Sequence, residues 1–309
     1  MFWNEWFTPK PFNDGYLSEK GGHSVYYAQY GNPQGQPVLM FHGGPGGSSR
    51  AKNAKIADLK KYRVIMFDQR GCGKSLPLGE VNNNTTPDLL DDVTRLLEHL
   101  NVTQKIIIVA ASWGSTLALL WAEKHPEQVE ELLLSQIFLA NEECRLWEFE
   151  DCAYFFPEFV EQMNHISQDN ISQHYNQMIQ SDEEEKQLEA VNYYGCFERI
   201  CSNLNPKFGN STQLSQEELA SNRIFMHYSA HKFFLGANTI LDNISKIKEI
   251  PTTIVHNRLD MVCPYKGAYD LQKQLVRCRL ITVPEFGHTG KKIRKIKQKT
   301  FKCILDNKI

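Results

Sequence analysis

The sequence has no apolar run approaching the eighteen or so residues needed to cross a bilayer, so no segment reads as membrane-spanning. It has almost no net charge: 34 lysines and arginines face 36 aspartates and glutamates, a formal balance of -2. A balance so near zero gives no electrostatic basis for a nucleic-acid or anionic-membrane partner. The eight cysteines are scattered without a CxxC pair, which argues against a zinc site or a disulfide framework. In a reducing compartment they read as buried thiols. The opening MFWNEWFTPKPF lacks the basic-then-apolar order of a secretory signal, so the expected location is cytoplasmic. There is also no internal repeat. What remains is an ordinary globular composition, 41% hydrophobic and 23% charged over 309 residues, sufficient for one large domain or two small ones.

Apolar runs rich in β-branched residues alternate with helical patterns in the first half. VLMF (38–41), VIMF (64–67) and IIIVA (106–110) read as short strands buried on both faces, as a parallel sheet requires. Between the last two lies TTPDLLDDVTRLLEHL, apolar at helical spacing, with Thr85 or Thr86 as N-cap. A second helix is expected from Ser115 to His125, then a strand in LLLSQIF. The alternation returns near Ile250 with PTTIVH, AYDLQKQL and RLITV as strand, helix and strand. This predicts an α/β fold with a doubly wound, mostly parallel sheet. Residues 142–243 differ, being helical or loop-like and rich in aromatics. The expected division is a core from 1–141 and 244–309, with 142–243 as a mostly helical cap over the end of the sheet.

IIIVAA-Ser112-Trp113-Gly114-STLAL places a serine between a buried strand and an apolar helix. That is the setting of a nucleophile elbow, whose tightness demands small residues two before and two after the serine. Ala110 and Gly114 occupy those positions. A serine hydroxyl needs an adjacent base, and the base needs an orienting acid. In this fold they follow in the order acid, then histidine. IVHNRLD ends a strand with Asp260 just beyond it, and ITVPEFGH repeats the arrangement with His288, 28 residues later. Of the ten histidines, His288 alone follows a late strand in a glycine-bearing loop. His256 lies inside the strand and reads as a core residue.

VLMFHGGPGG ends the first buried strand in glycines whose N–H groups can approach a substrate oxygen without Cβ interference. Gly44, with Gly43 beside it, and the N–H of Trp113 are the expected oxyanion donors. His42 reads as a structural hydrogen-bonder beneath this loop. A phosphate-binding reading is poor, because no GK[ST] follows and GCGKS at 71–75 lacks the full P-loop spacing.

YGNPQGQPVLMFHGGPGG, FDQRGCGKS, NTTPDLLDDVTRLLEHL, SWGSTLALLWAEKHPE, IVHNRLDMVCP and FGH occur in the order and spacing of one family, and by them nearly the whole chain resembles the proline iminopeptidases, which are serine aminopeptidases. The resemblance implies release of N-terminal proline or other small residues from short peptides, with no metal or organic cofactor. It also implies a substrate amine held by acids of the cap. YGCFE matches an aromatic-x-x-aromatic-Glu element and makes Glu198 one such acid. Where the family reads RIExHYF this chain reads RIFMHYS, so Phe225 stands in place of the second acid, and Leu235 replaces a further one. Phe149 resembles an aromatic that lines the proline pocket.

Taking a protonated amine out of water requires compensating charge. The lost acids therefore keep a second reading open, an esterase or amidase for an uncharged, hydrophobic acyl substrate. A catalytically silent ligand-binding protein on the same fold is a third, and the complete triad argues against it. The oligomeric state leaves no mark in the sequence.

Overall fold

The apolar runs lie side by side at the centre of an eight-stranded sheet in the computed structural model, which describes residues 8–164, 171–203, 212–236 and 240–307. Within those ranges the side chains of 162–164, 193–200, 203 and 286 fall outside the described residues. The strands are β1 (Asn13–Tyr16), β2 (Tyr26–Gly31), β3 (Gln36–Phe41), β4 (Tyr62–Phe67), β5 (Ile106–Ser112), β6 (Val129–Ile137), β7 (Thr252–Leu259) and β8 (Cys278–Phe286). Their order is β1-β2-β4-β3-β5-β6-β7-β8, parallel from β4 onward, with β1 and β2 antiparallel at one edge. The chain is thus α/β with a mostly parallel sheet, as its patterning predicts.

The two antiparallel strands carry no clean sequence signal. Tyr26 to Tyr30 are all buried, yet Gln29 sits among them. Its amide donates to Asn13 Oδ1 at 2.7 Å and accepts from Arg63 Nε at 2.7 Å. A polar residue inside a fully buried strand erases the alternation by which strands are recognised.

Helices cover both faces. Leu39, Phe41, Ile65, Ile108 and Leu134 point to the side of α1 (Thr86–His99) and α2 (Trp113–Lys124). Val38, Met40, Val64, Val109 and Leu133 point to the other, where Phe301 and Leu305 of the last helix join them. Period-two alternation therefore survives in strands that are buried throughout. Each fully buried leucine or valine contributes about 1.5–3 kcal/mol of transfer free energy.

Thr85 caps α1 in a full capping box with Asp88. Arg70 anchors the same helix from the loop after β4. Its guanidinium, 1% exposed, grips Asp92 through Nε–Oδ2 at 2.6 Å and Nη2–Oδ1 at 2.9 Å.

Between β6 and β7 run α3 (Glu142–Phe149), α4 (Pro157–Asn164), α5 (Ile171–Gln180), α6 (Glu184–Asn203), α7 (Gln216–Ala230) and α8 (Ile240–Asn243). Among the described residues this segment contains no strand. It has its own apolar cluster, including Phe149, Phe159, Tyr175, Ile179 and Met226, and α7 adds Ile224 and Tyr228 to the cluster beside α2. Two helices, α9 (Tyr265–Gln274) and α10 (Lys291–Asp306), follow β7 and β8. No described helix is long and apolar enough to cross a membrane.

Candidate active site

Ser112 is the last residue of β5 and the N-cap of α2, and its backbone takes φ +55°, ψ -133°. A non-glycine residue holds such a conformation only where its surroundings impose it. The imposition is visible at Gly114. A Cβ there would lie 2.7 Å from the carbonyl oxygen of Phe41 and 2.8 Å from that of His42, so only glycine lets α2 start this close to β3. Ala110 is buried in register with Phe41 and Leu134. The turn leaves the Ser112 hydroxyl facing a cavity of about 340 Å³.

Asp260 and His288 arrive from the ends of β7 and β8, as the sequence predicts. Asp260 is 3% exposed and its Oδ1 accepts the N–H groups of Val262 at 3.0 Å and Cys263 at 2.9 Å. His288 Nδ1 lies 2.9 Å from Oδ2 and 3.0 Å from Oδ1. A carboxylate can only accept, so Nδ1 carries the proton and Nε2 of the neutral ring does not. Burial pushes the Asp260 pKa up, but His288, its hydrogen bond, His256 and the Cys263 N–H outweigh this and hold it below the usual carboxylate value. His288 borders the same cavity as Ser112. The loop that carries it is tied down on both sides: Gly287, at φ +93°, donates to the Leu259 carbonyl at 2.9 Å, and Gln136 Nε2 donates to the His288 carbonyl at 2.5 Å.

His256 proves to be the core residue it reads as. It is fully buried, with Nδ1 accepting the Ile137 N–H at 3.0 Å and Nε2 donating to the Cys263 carbonyl at 2.8 Å. Burial lowers its pKa and keeps the ring neutral.

The glycine loop after β3 stands opposite. A Cβ on Gly43 would be 3.3 Å from Ser112 Cβ and 3.9 Å from its Oγ, so this backbone passes close beside the nucleophile and a side chain there would crowd it. Gly44, at φ +128°, also lines the cavity. Beneath the loop, His42 Nε2 accepts the Gln69 N–H at 3.0 Å and Nδ1 donates to the Gly43 carbonyl at 2.8 Å. Gln69 Oε1 in turn accepts from the indole of the fully buried Trp113 at 2.9 Å. One network therefore braces the glycine loop and the start of α2, and His42 has the structural place expected of it.

The helical segment supplies the remaining wall. Phe225, on α7, borders the cavity, its ring 6.5 Å from that of Phe233. Phe149 does not. It is buried beside a neighbouring cavity of about 270 Å³, together with Leu235. Glu198 belongs to α6, but its side chain lies outside the described residues. Two residues that sequence reasoning missed stand here. Glu148, 7% exposed, borders both cavities, and it is the one carboxylate among the described lining residues of the cavity that holds Ser112. No lysine or arginine lines that cavity among the described residues. Cys263 Sγ lies 3.9 Å from Ser112 Oγ. Acidity next to Phe149 in α3 was the available signal for Glu148; nothing local could have marked Cys263. No described group of histidine, cysteine or acidic residues could hold a metal ion.

A serine at a strained strand-to-helix turn, with an acid–histidine pair from later strand ends, on a doubly wound sheet, is the arrangement of an α/β hydrolase. The family model described as "alpha/beta hydrolase fold" matches residues 36–291. The fold is shared with a hydrolase from Pseudomonas aeruginosa (TM-score 0.63, 17% identity, 94% of this chain and 98% of that one). It is shared equally with a haloalkane dehalogenase variant from Bradyrhizobium elkanii (TM-score 0.64, 16% identity, 96% of each).

Sequence narrows the class. The chain is 36% identical to a proline iminopeptidase of Arabidopsis thaliana over 91% of its own length and 76% of that protein. It is 36% identical to one of Xylella fastidiosa over 91% and 92%, and 33% identical to one of Neisseria gonorrhoeae over 90% and 91%. The chain belongs to the proline iminopeptidase family of α/β hydrolases.

Proposed function

We propose that this chain is a serine aminopeptidase that releases N-terminal proline from short peptides through an acyl-enzyme. Ser112 is the nucleophile, His288 its base and Asp260 the orienting acid. The observation that carries the reading is the buried Asp260–His288 pair at 2.9 Å, opening on the cavity that holds the strained Ser112. Residues 142–243 act as the cap that closes this cavity.

Proton placement sets the sequence of steps. With Nδ1–H committed to Asp260, Nε2 takes the Ser112 proton as the hydroxyl attacks the carbonyl of the first residue. The negative oxygen that forms is met by the N–H of Trp113 and by Gly44 or Gly43. Each such donor stabilises the transition state by about 3 kcal/mol. His288 then passes the proton to the leaving amine, and water repeats the cycle on the acyl-enzyme. The substrate's own ammonium needs a counter-charge in this partly dry site. Glu148 meets it from α3, alongside Glu198 as the resemblance implies.

Phe225 in the cavity wall favours the second reading, an esterase or amidase for an uncharged acyl group. Comparing kcat/KM for a proline arylamide, its N-blocked analogue and a p-nitrophenyl ester separates the two. The aminopeptidase reading requires the free-amine arylamide to be preferred over its blocked form by tenfold or more, a difference of about 1.4 kcal/mol. Equal turnover of blocked and free forms leaves the esterase reading.

A further inference from the structure

Behind the glycine loop lies another cavity, of about 420 Å³, that the proposed reaction does not use. Its walls include Arg50, Lys52, Arg294 and Lys297, and among the described lining residues there is no carboxylate. Met40, Ile56 and Val109 form apolar parts of the same wall. Arg50, Lys52 and Arg294 are exposed at the rim, whereas Lys297 is half-buried. The one described hydrogen-bond partner of its ammonium is a neutral oxygen, Gln136 Oε1, at 3.3 Å. An ammonium has three protons to place, and partial burial removes the water that would take them. Burial first, and the Arg294 cation second, push the Lys297 pKa down to about 8. Four cations around one recess, in a chain whose total charge is -2, are a concentration of positive charge that no described residue lining the recess neutralises.

We propose that this recess is a binding site for a small oxyanion, of the carboxylate or phosphate class, seated on Lys297 with Arg50, Lys52 and Arg294 at its mouth. An oxyanion supplies the acceptors that the ammonium lacks and forms charge-assisted hydrogen bonds. The site also bears on turnover. Gln136, which hydrogen-bonds Lys297 through Oε1, donates through Nε2 to the carbonyl of His288. It does so from a backbone at φ +51°, a conformation that its neighbours impose. The two cavities share walls at Gly43, Gly47, Ala111 and Thr289. An anion that draws Lys297 toward itself loosens the hold on Gln136, and so on the loop carrying His288. This second step rests on the catalytic role proposed for His288; the binding step does not.

The test measures thermal stability of the full chain against inorganic phosphate and, separately, acetate, with chloride holding ionic strength constant. A saturable rise in Tm of roughly 2 °C or more is expected with at least one of the two anions in wild type. The arm that responds tells phosphate-type from carboxylate-type occupancy. Lys297→Met should abolish the rise and Lys297→Arg should retain it. If Lys297→Met does not fold, Arg294→Gln should shift the half-saturation concentration several-fold upward. No saturable rise in wild type, or an undiminished rise in Lys297→Met, overturns the site. The rate on a proline arylamide should change with the same half-saturation; binding without any change in rate overturns the coupling. Because the Tm measurement needs no substrate, it decides the site even if proline arylamides are not cleaved.

Discussion

His288 Nδ1 lies 2.9 Å from Asp260 Oδ2, and Asp260 is held in turn by the N–H groups of Val262 and Cys263. The carboxylate therefore cannot rotate away, and the imidazole has one tautomer. Asp260→Asn keeps the shape but offers an N–H to a ring nitrogen that already carries its proton. The ring is expected to flip its tautomer and lose about 10⁴ in kcat. Ser112→Ala should remove nearly all turnover without unfolding the chain. Steady-state kinetics with circular dichroism on both variants checks this, and near-normal activity in Ser112→Ala would sink the assignment.

The same pair makes stability depend on pH. The Asp260 pKa is held below its unfolded value of about 3.9. A carboxyl depressed in the folded state contributes stability that is present above the unfolded value and is lost as pH falls through the folded one. The stability difference between wild type and Asp260→Asn should therefore be largest near pH 6 and shrink as pH falls below about 4. Urea midpoints across that range measure it, and a constant difference counts against a charged Asp260.

Glu148 and Phe225 face one cavity from α3 and α7. Glu148→Gln removes the described acid there and should raise KM for a proline arylamide several-fold while sparing an uncharged ester. Phe225→Glu should move the amide-to-ester ratio the other way, by on the order of 1 kcal/mol in a partly desolvated site. The added carboxylate is half-buried in the empty cavity, so that variant should also melt earlier. Unchanged ratios in both variants would leave the esterase reading in front.

Arg70 and Asp92 test the frame rather than the site. Both are 1% exposed, and Arg70 also has Asp88 at 3.4 Å. Removing one partner of a buried pair strands the other's charge, which typically costs about 3–5 kcal/mol. Asp92→Asn should lower Tm by on the order of 10 °C. Replacing both partners, as in Arg70→Met with Asp92→Leu, should recover much of that loss. A loss of under 2 °C in Asp92→Asn would show the pair to be energetically minor.

Lys297 shifts stability with pH in the same direction as Asp260, but in an alkaline window. Burial and Arg294 lower its folded pKa to about 8, so between that value and its unfolded one the unfolded chain binds more protons. Stability should rise with pH above about 8, and Lys297→Met should flatten that rise. Chemical denaturation between pH 7.5 and 10 in anion-free buffer reads it directly. The other titratable and charged groups among the described residues lining the same recess are His42, Arg50, Lys52 and Arg294.

By itself the sequence determined whatever is written in neighbouring residues. The buried runs became β3 to β8, because period and β-branching report local burial. Thr85 or Thr86 marked the start of α1, and Ala110, Ser112 and Gly114 marked the tight turn, because caps and turns are set by residues within a few positions. The order Ser112, Asp260, His288 was legible because each follows a strand with its own signal. Only the tertiary structure decided what meets across distance. Ser112 and Cys263 approach to 3.9 Å although 151 positions separate them, because only β6 stands between β5, which ends at Ser112, and β7, which precedes Cys263, in the sheet order. Glu148 turns to the cavity while Phe149, one residue on, packs beside the next one. Lys297 reaches Gln136 from α10, across 161 positions of chain. Periodicity tells which side of an element is buried, but the identity of the opposing surface is set by how the whole sheet is wound, and chemistry resides in that opposition.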